Sequence, residues 1–208
     1  MTKKAIIYDL DNTLYSVLTI GDELFADLLD LIVKSEAYEG ELEGIRSDIM
    51  RKPFQWVAKA YHFSEKLTCD GIDLLQNLTV PKTIKPFEDY TEILKIKANR
   101  FLVTSGFTTM QFSKIRNMGI ENDFTEVHVV DPMRTSNTKK DVFADIMMRY
   151  DYKTEEVLVV GDDLDSEIKA AHELRIDTVL YDKNNNQQDG FTTFKISDFK
   201  DLVNMFIK

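Results

Sequence analysis

Two carboxylates two residues apart, Asp9 and Asp11, stand in the run Tyr8-Asp9-Leu10-Asp11-Asn12-Thr13-Leu14-Tyr15, directly after Lys4-Ala5-Ile6-Ile7-Tyr8. The preceding segment is short, apolar and rich in β-formers, and it reads as a buried strand. Strand alternation would point both carboxylates the same way. Two like charges this close need either a proton on one of them or a cation between them. Such a pair could supply a carboxylate nucleophile, a metal ligand and a neighbouring acid that holds a proton. The same residues are also ordinary turn and helix-cap chemistry. A calcium loop fits poorly. Counted from Asp9, Leu14 stands where glycine is needed and Ile20 where glutamate is needed.

Other chemistry-bearing residues recur downstream at regular places. Thr104 and Ser105 follow the apolar run Arg100-Phe101-Leu102-Val103. Lys139 and Lys140 open a helical pattern that comes after Glu126–Val130. Asp162 and Asp163 follow Val157-Leu158-Val159-Val160-Gly161, with Asp165, Ser166 and Glu167 next. Each has a plain structural explanation as a turn, a solvated pair or a helix N-terminus favoured by the macrodipole. Taken together they fall at the carboxyl ends of successive strands, which is where open parallel sheets bind ligands.

The elements that must position these residues come in two kinds. Residues 16–82 read as helical, with segments at Asp22–Ile32, Leu42–Met50, Phe54–Tyr61 and Cys69–Leu78, the last ending near Pro81. Phe54, Trp56 and Tyr61 are expected in the core of this unit. From about Lys85 strand and helix alternate. Helices are predicted at Phe87–Ala98, Thr108–Met118, Thr138–Tyr150, Leu164–Leu174 and Ser197–Ile207, and a last strand at Asp177–Tyr181. Gly119 suits a helix C-terminus, while Thr138 and Ser197 suit N-caps. Residues 184–190 form a polar surface loop without evident chemistry. Near-continuous apolar strands separated by helices imply an α/β fold, a Rossmann-like parallel sheet with helices on both faces. A small helical unit is inserted after the first strand. The expected domains are an α/β core of residues 1–15 and 83–208 and a helical unit of residues 16–82, which the family resemblance given below identifies with a cap.

The composition narrows the partners. The 208 residues are 43% hydrophobic and 30% charged, ordinary for a globular protein with a real core. No apolar run approaches membrane-spanning length, and the N-terminal apolar run is too short for a signal peptide. A single cysteine, Cys69, rules out an internal disulfide framework and fits a cytoplasmic location. With 26 basic and 36 acidic residues the net charge is −10, which argues against nucleic acid and anionic membranes as partners. An anionic ligand would then need a metal, a lysine or helix N-termini to receive it. No amphipathic stripe is left over once the core is assigned, so a monomer or weak homodimer is expected. His62, His128 and His172 have no metal-ligand spacing and read as structural.

A phosphate would suit the constellation. Mg²⁺ held by Asp9 and Asp162 would neutralise nucleophile and phosphate together, while a hydroxyl and a lysine hold the other phosphoryl oxygens. The residues resemble the haloacid dehalogenase-like (HAD) superfamily over essentially the whole chain. Asp9-Leu10-Asp11-Asn12-Thr13 is similar to its first motif, Asp-x-Asp-x-Thr, and Thr104 after Phe101-Leu102-Val103 resembles the second. Lys139 resembles the third, although a second lysine, Lys140, adjoins it where proline is often found. Gly161-Asp162-Asp163-Leu164-Asp165-Ser166-Glu167 resembles the fourth, and the helical insert falls where the family's type 1 cap sits.

That resemblance implies Asp9 as a nucleophile forming an aspartyl-phosphate and Asp11 as general acid and base. Mg²⁺ would be bound by the Asp9 carboxylate, the Asp11 backbone carbonyl and Asp162. Thr104, Ser105 and Lys139 would hold the phosphate, with Asp163 or Glu167 as the further acid orienting metal-bound water or the lysine. Dehalogenases of the superfamily lack the second Asp of the first motif, so the expected reaction is hydrolysis of a phosphorylated metabolite. A nucleoside monophosphate, a sugar phosphate or a phosphoglycolate-like compound would each suit it. A phosphotransferase or mutase would use the same core. A receiver-like phospho-acceptor would share an acidic pair, a hydroxyl and a lysine, but without a large insert after its first strand. Lys52, Gln55 and Lys59 are candidates for contacting the leaving group, and each is equally a solvated helix residue.

Overall fold

The computed structural model describes residues 3–80, 83–188 and 190–206. The helix stop expected near Pro81, the Asp189 part of the polar loop, the helix end at Ile207 and the domain edges at residues 1, 82 and 208 lie outside them. Six parallel strands form one sheet: β1 (Ala5–Tyr8), β2 (Asn99–Ser105), β3 (Glu126–Val130), β4 (Val157–Gly161), β5 (Asp177–Tyr181) and β6 (Phe194–Ile196). Their order is β3-β2-β1-β4-β5-β6. The strand order therefore reverses at β1, the switch point of an α/β sheet. Tyr8 is level with Leu102 of β2 and with Val160 of β4. The residues just beyond these three strands thus emerge side by side.

Alternation along the strands builds two apolar faces. Ile6, Tyr8, Leu102, Leu158, Val160 and Val179 join one buried cluster, which includes Ile115 of α6 (Thr108–Met118) and Phe199 and Leu202 of α9 (Phe199–Phe206). Ala5, Ile7, Phe101, Val103, Val157 and Val159 join the other. There they meet Phe143 and Ile146 of α7 (Lys139–Arg149) and Ala171 of α8 (Lys169–Glu173). Each buried aliphatic or aromatic side chain contributes about 1.5–3 kcal/mol. Both faces being covered explains why these strands read as continuous apolar runs.

Between β1 and β2 the chain forms α1 (Gly21–Leu24), α2 (Ala26–Ser35), α3 (Leu42–Ile49), α4 (Phe54–Ala60) and α5 (Glu65–Asn77). Their inward residues, among them Leu28, Ile32, Ile45, Val57 and Leu67, join the first cluster. The expected helix Asp22–Ile32 is two helices that break at Phe25. The last helix starts earlier than its apolar pattern, because Ser64 accepts a hydrogen bond from Leu67 N–H and caps it. Trp56, expected in the core, is 47% exposed, with the Lys52 ammonium 3.9 Å from its ring centroid. Phe54 alone of the three aromatics is buried, and it packs so closely on Gly71 that a Cβ there would lie 2.4 Å from its ring.

Three further expectations are corrected. Phe87–Ala98 is not an α-helix but a tighter 3₁₀ run, Tyr90–Lys95, because Asp89 is drawn inward. The Asp89 carboxylate accepts from Tyr181 OH at 3.0 Å and Phe199 N–H at 2.8 Å. That second bond receives the first N–H of α9, and the helix is capped by Asp198, which accepts from Lys200 N–H at 2.8 Å, and not by the expected Ser197. Strand β6 has three residues, too short for an apolar pattern to announce it. Thr138 does cap α7, in a capping box with Asp141, and Gly119 ends α6 at φ 71°, a left-handed conformation glycine adopts freely.

Candidate active site

The switch point collects the acids. Asp9 follows β1, its N–H donating to Val160 O of β4 at 2.9 Å. Asp162 follows β4. Next comes a single π-helical turn, Leu164–Ile168, in which Ser166 departs from helical geometry (φ −106°, ψ −106°). This wide turn swings Glu167 back over the end of β4. Oxygens of Asp9, Asp162 and Glu167, all three buried, lie within 4.8 Å of one another. A Cβ on Gly161 would stand 2.1 Å from Glu167 Oε1, so only glycine leaves room for that carboxylate. Asp163 donates its N–H to Glu167 Oε1 at 2.8 Å and caps the turn by accepting from Asp165 N–H.

Lys139 is the cation of this cluster. Its ammonium donates to Asp9 Oδ1 at 2.6 Å and Glu167 Oε2 at 2.7 Å, and it is 8% exposed. The adjacent Lys140 points outward to Glu173 at 2.9 Å. Helix register separates the two, since Phe143 of the same helix is buried on the sheet side one turn after Lys139. Thr13 donates to Asp162 Oδ1 at 3.3 Å. One lysine does not balance three acids. Burial, with Glu167 and Asp11, pushes the Asp9 carboxyl up to about 7, against the pull of Lys139. Burial beside Glu167 and Asp9 likewise pushes Asp162 well up. Lys139 moves up because its two acids outweigh its burial.

Asp11 belongs to a different network: where a proton on one carboxylate or a cation between the two was expected, Asp9 and Asp11 each have a lysine of their own. Lys114 of α6 donates to both Asp11 oxygens at 2.8 and 3.0 Å, and Tyr15 OH donates to Oδ1. Gln111 Nε2 donates to Asp11 Oδ2 at 2.9 Å, to Thr104 Oγ1 at 2.7 Å and to Ser105 O at 3.1 Å. Burial would raise Asp11, but Lys114, Tyr15 and Gln111 together hold it below the usual carboxylate range. Thr104 is buried. Ser105 is exposed and enters the network through its backbone carbonyl.

The structure thus joins Asp9, Lys139, Asp162 and Glu167 in one cluster and Asp11 with Thr104 in a second. Gln111 and Lys114 were not singled out from sequence. Their signal was present: two polar residues three apart on the same helical face as buried Met110 and Ile115. The acid cluster contains none of the three histidines.

A parallel sheet that gathers buried acids and a lysine at its switch point places them where open α/β folds bind their ligands. Residues 3–175 match the haloacid dehalogenase-like hydrolase family, and the chain belongs to it. Two curated relatives are named glyceraldehyde 3-phosphate phosphatase. The protein of Methanocaldococcus jannaschii is 25% identical over 227 residues, covering 97% of this chain and 96% of its own. That of Methanopyrus kandleri is 24% identical over 200 residues, covering 85% and 82%. Among solved structures, a haloacid dehalogenase-like family protein of Streptococcus pneumoniae superposes with a TM-score of 0.75 at 14% identity, covering 99% of both chains. Among the described residues no helix is long and apolar enough to cross a membrane.

Proposed function

We propose that this protein is a phosphatase that hydrolyses a small phosphate monoester through a phosphorylated Asp9. One observation carries the reading: the buried Asp9 carboxylate lies against Lys139, beside two further acids and two residues from a separately anchored Asp11. Asp9 would attack phosphorus as the bond to the leaving alkoxide breaks, and Asp11 would give that alkoxide a proton. Water would then attack the phosphoryl group, return its proton to Asp11 and release Asp9. Asp11 is anionic in the geometry described and must first be protonated, and the Lys114 ammonium and Tyr15 hydroxyl both hold protons against its oxygens. Lys139 and Thr104 would hold phosphoryl oxygens, with Ser105 contributing backbone. Glu167 fixes Lys139, while Asp163 supports Glu167.

The donor set is made of hard carboxylate oxygens and carries more negative charge than its lysine neutralises, which fits a divalent cation such as Mg²⁺. Asp9, Asp162 and the Asp11 backbone carbonyl would hold it, leaving Glu167 on Lys139. Bound there, Mg²⁺ would supply the positive charge that lets an anionic nucleophile approach an anionic phosphate. Residues 16–82 would act as a cap over a core of residues 1–15 and 83–208. The names of the relatives favour a phosphorylated metabolite of about three carbons, met in the cytosol.

Phosphate release from a panel of triose, sugar and nucleoside phosphates tests this. We expect turnover that needs Mg²⁺ and falls at least about a thousandfold in Asp9→Asn, whose amide cannot attack. Turnover surviving in Asp9→Asn overturns the nucleophile assignment, and no release from any panel member overturns the activity.

A further inference from the structure

A cleft of about 400 Å³ opens beside Asp162, lined among others by Asn12, Ser47, Arg51, Lys183 and Gln187. One wall is the end of α3 and the residues just after it. The other is the loop following β5. That loop is anchored to the site, since Gln187 Nε2 donates to the Asp162 carbonyl at 2.8 Å. The charges lining the cleft differ in how far they are already satisfied. Lys183 lies 3.0 Å from Asp89 and over the rings of Phe87 and Tyr181, so its charge is balanced. Asp182 accepts from the backbone of Asn186 and Gln187 and pairs with Lys195 at 3.0 Å.

Arg51 differs. Its side chain is more than half exposed, and among the described residues its ion-pair partner is Asp162 Oδ2, at 3.9 Å, too long for a hydrogen bond. A guanidinium carries five donors in a fixed fork, and among the described residues that fork makes the one long contact with Asp162 and no hydrogen bond. A divalent cation on Asp162 would remove even that weak partner.

We propose that this cleft receives the leaving-group end of the substrate and that Arg51 selects leaving groups bearing a carboxylate. The inference rests on the phosphomonoester reading for the location of the phosphoryl group. Three features argue for it. A guanidinium matches a carboxylate with two parallel hydrogen bonds. One uncommitted cation balances one singly charged group. And because Arg51 stands next to Asp162, the carboxylate must lie only a few atoms from the phosphoryl end, which makes the substrate a short phosphorylated hydroxy acid. The neutral aldehyde in the relatives' name would leave Arg51 unpaired.

The test compares two probes of equal carbon number, 3-phosphoglycerate and glycerol 3-phosphate, which differ in whether a carboxylate is present. Their affinities are measured by calorimetry with Mg²⁺ on the full chain carrying Asp9→Asn, which prevents turnover. We expect 3-phosphoglycerate to bind about tenfold more tightly. The ratio should fall to about one when Arg51→Gln is added and recover in part with Arg51→Lys. Lys66→Gln, which removes the same charge from an exposed site, should keep it. Equal affinities, no binding of either probe, or a ratio that survives Arg51→Gln each overturns the proposal. Phosphate release by the unsubstituted protein is scored separately. A preserved binding ratio without release would sink the hydrolytic reading and leave the subsite standing.

Discussion

At the scale of single residues, the two carboxylates of the first loop have opposite electrostatic settings. Asp9 is crowded by acids and Asp11 by donors, although they are two positions apart. Asp9 is raised from an ordinary 3.8 to about 7 by burial. In the metal-free protein a raised acid stabilises the fold fully below its unfolded pKa, and that contribution is lost as pH rises through about 7. A cation held by Asp9, as proposed, would displace the same proton. Mg²⁺ affinity should therefore strengthen from pH 5 to about 7 and level off above, with protons released on binding at pH 6. Calorimetry in two buffers of different ionisation enthalpy measures both, and an affinity flat across that range would mean Asp9 titrates elsewhere. Lys114 and Gln111 escaped notice because a lysine and a glutamine in mid-helix are normally solvated. Their inward direction is a property of how α6 lies on the sheet.

At the scale of elements, the end of β4 and its π-helical turn form one device. Gly161 has no side chain, so the turn can fold Glu167 onto the strand end beside Lys139. Gly161→Ala should destabilise the protein by about 1–3 kcal/mol through overpacking and weaken Mg²⁺ binding. Adding Glu167→Ala should recover most of the stability and none of the metal affinity. Thermal melts with and without Mg²⁺ read both, and an unaltered melt in the single variant would refute the crowding. Strands β1, β2, β4 and β5 were legible because burial on both faces makes an apolar run, and the strand ends then pointed to the acids. The three-residue β6 and the 3₁₀ run at Tyr90–Lys95 were not legible, since long-range contacts decide them: parallel pairing with β5 for one and the capture of Asp89 for the other. The π turn had no signature either, because Leu164–Leu174 carries an ordinary helical pattern.

At the scale of the whole molecule, Asp89 ties together parts of the chain distant in sequence: its own 3₁₀ segment, Tyr181 at the end of β5 and the start of α9. Burial alone would raise this acid. The Phe199 N–H, Lys183 and Tyr181 outweigh it and hold it below the usual range, so its contribution is present above the ordinary Asp pKa and is lost on acidification. Asp89→Ala strands two buried donors, Tyr181 OH and Phe199 N–H, and unpairs the partly exposed Lys183, and it should lower stability by about 3 kcal/mol, seen as a lower urea midpoint with an unchanged slope. A loss below about 1 kcal/mol would mean that water replaces the carboxylate. The strand order has a consequence for synthesis. β1 is made first, yet its sheet neighbours begin at Asn99 and Val157. During translation the helices between β1 and β2 emerge first, β1 gains one neighbour when β2 follows, and its other edge stays open until β4 has emerged. The loop carrying Asp9 and Asp11 thus leaves the ribosome well before the strand that fixes it, and it takes its final shape only when β4 docks and Val160 accepts the Asp9 N–H.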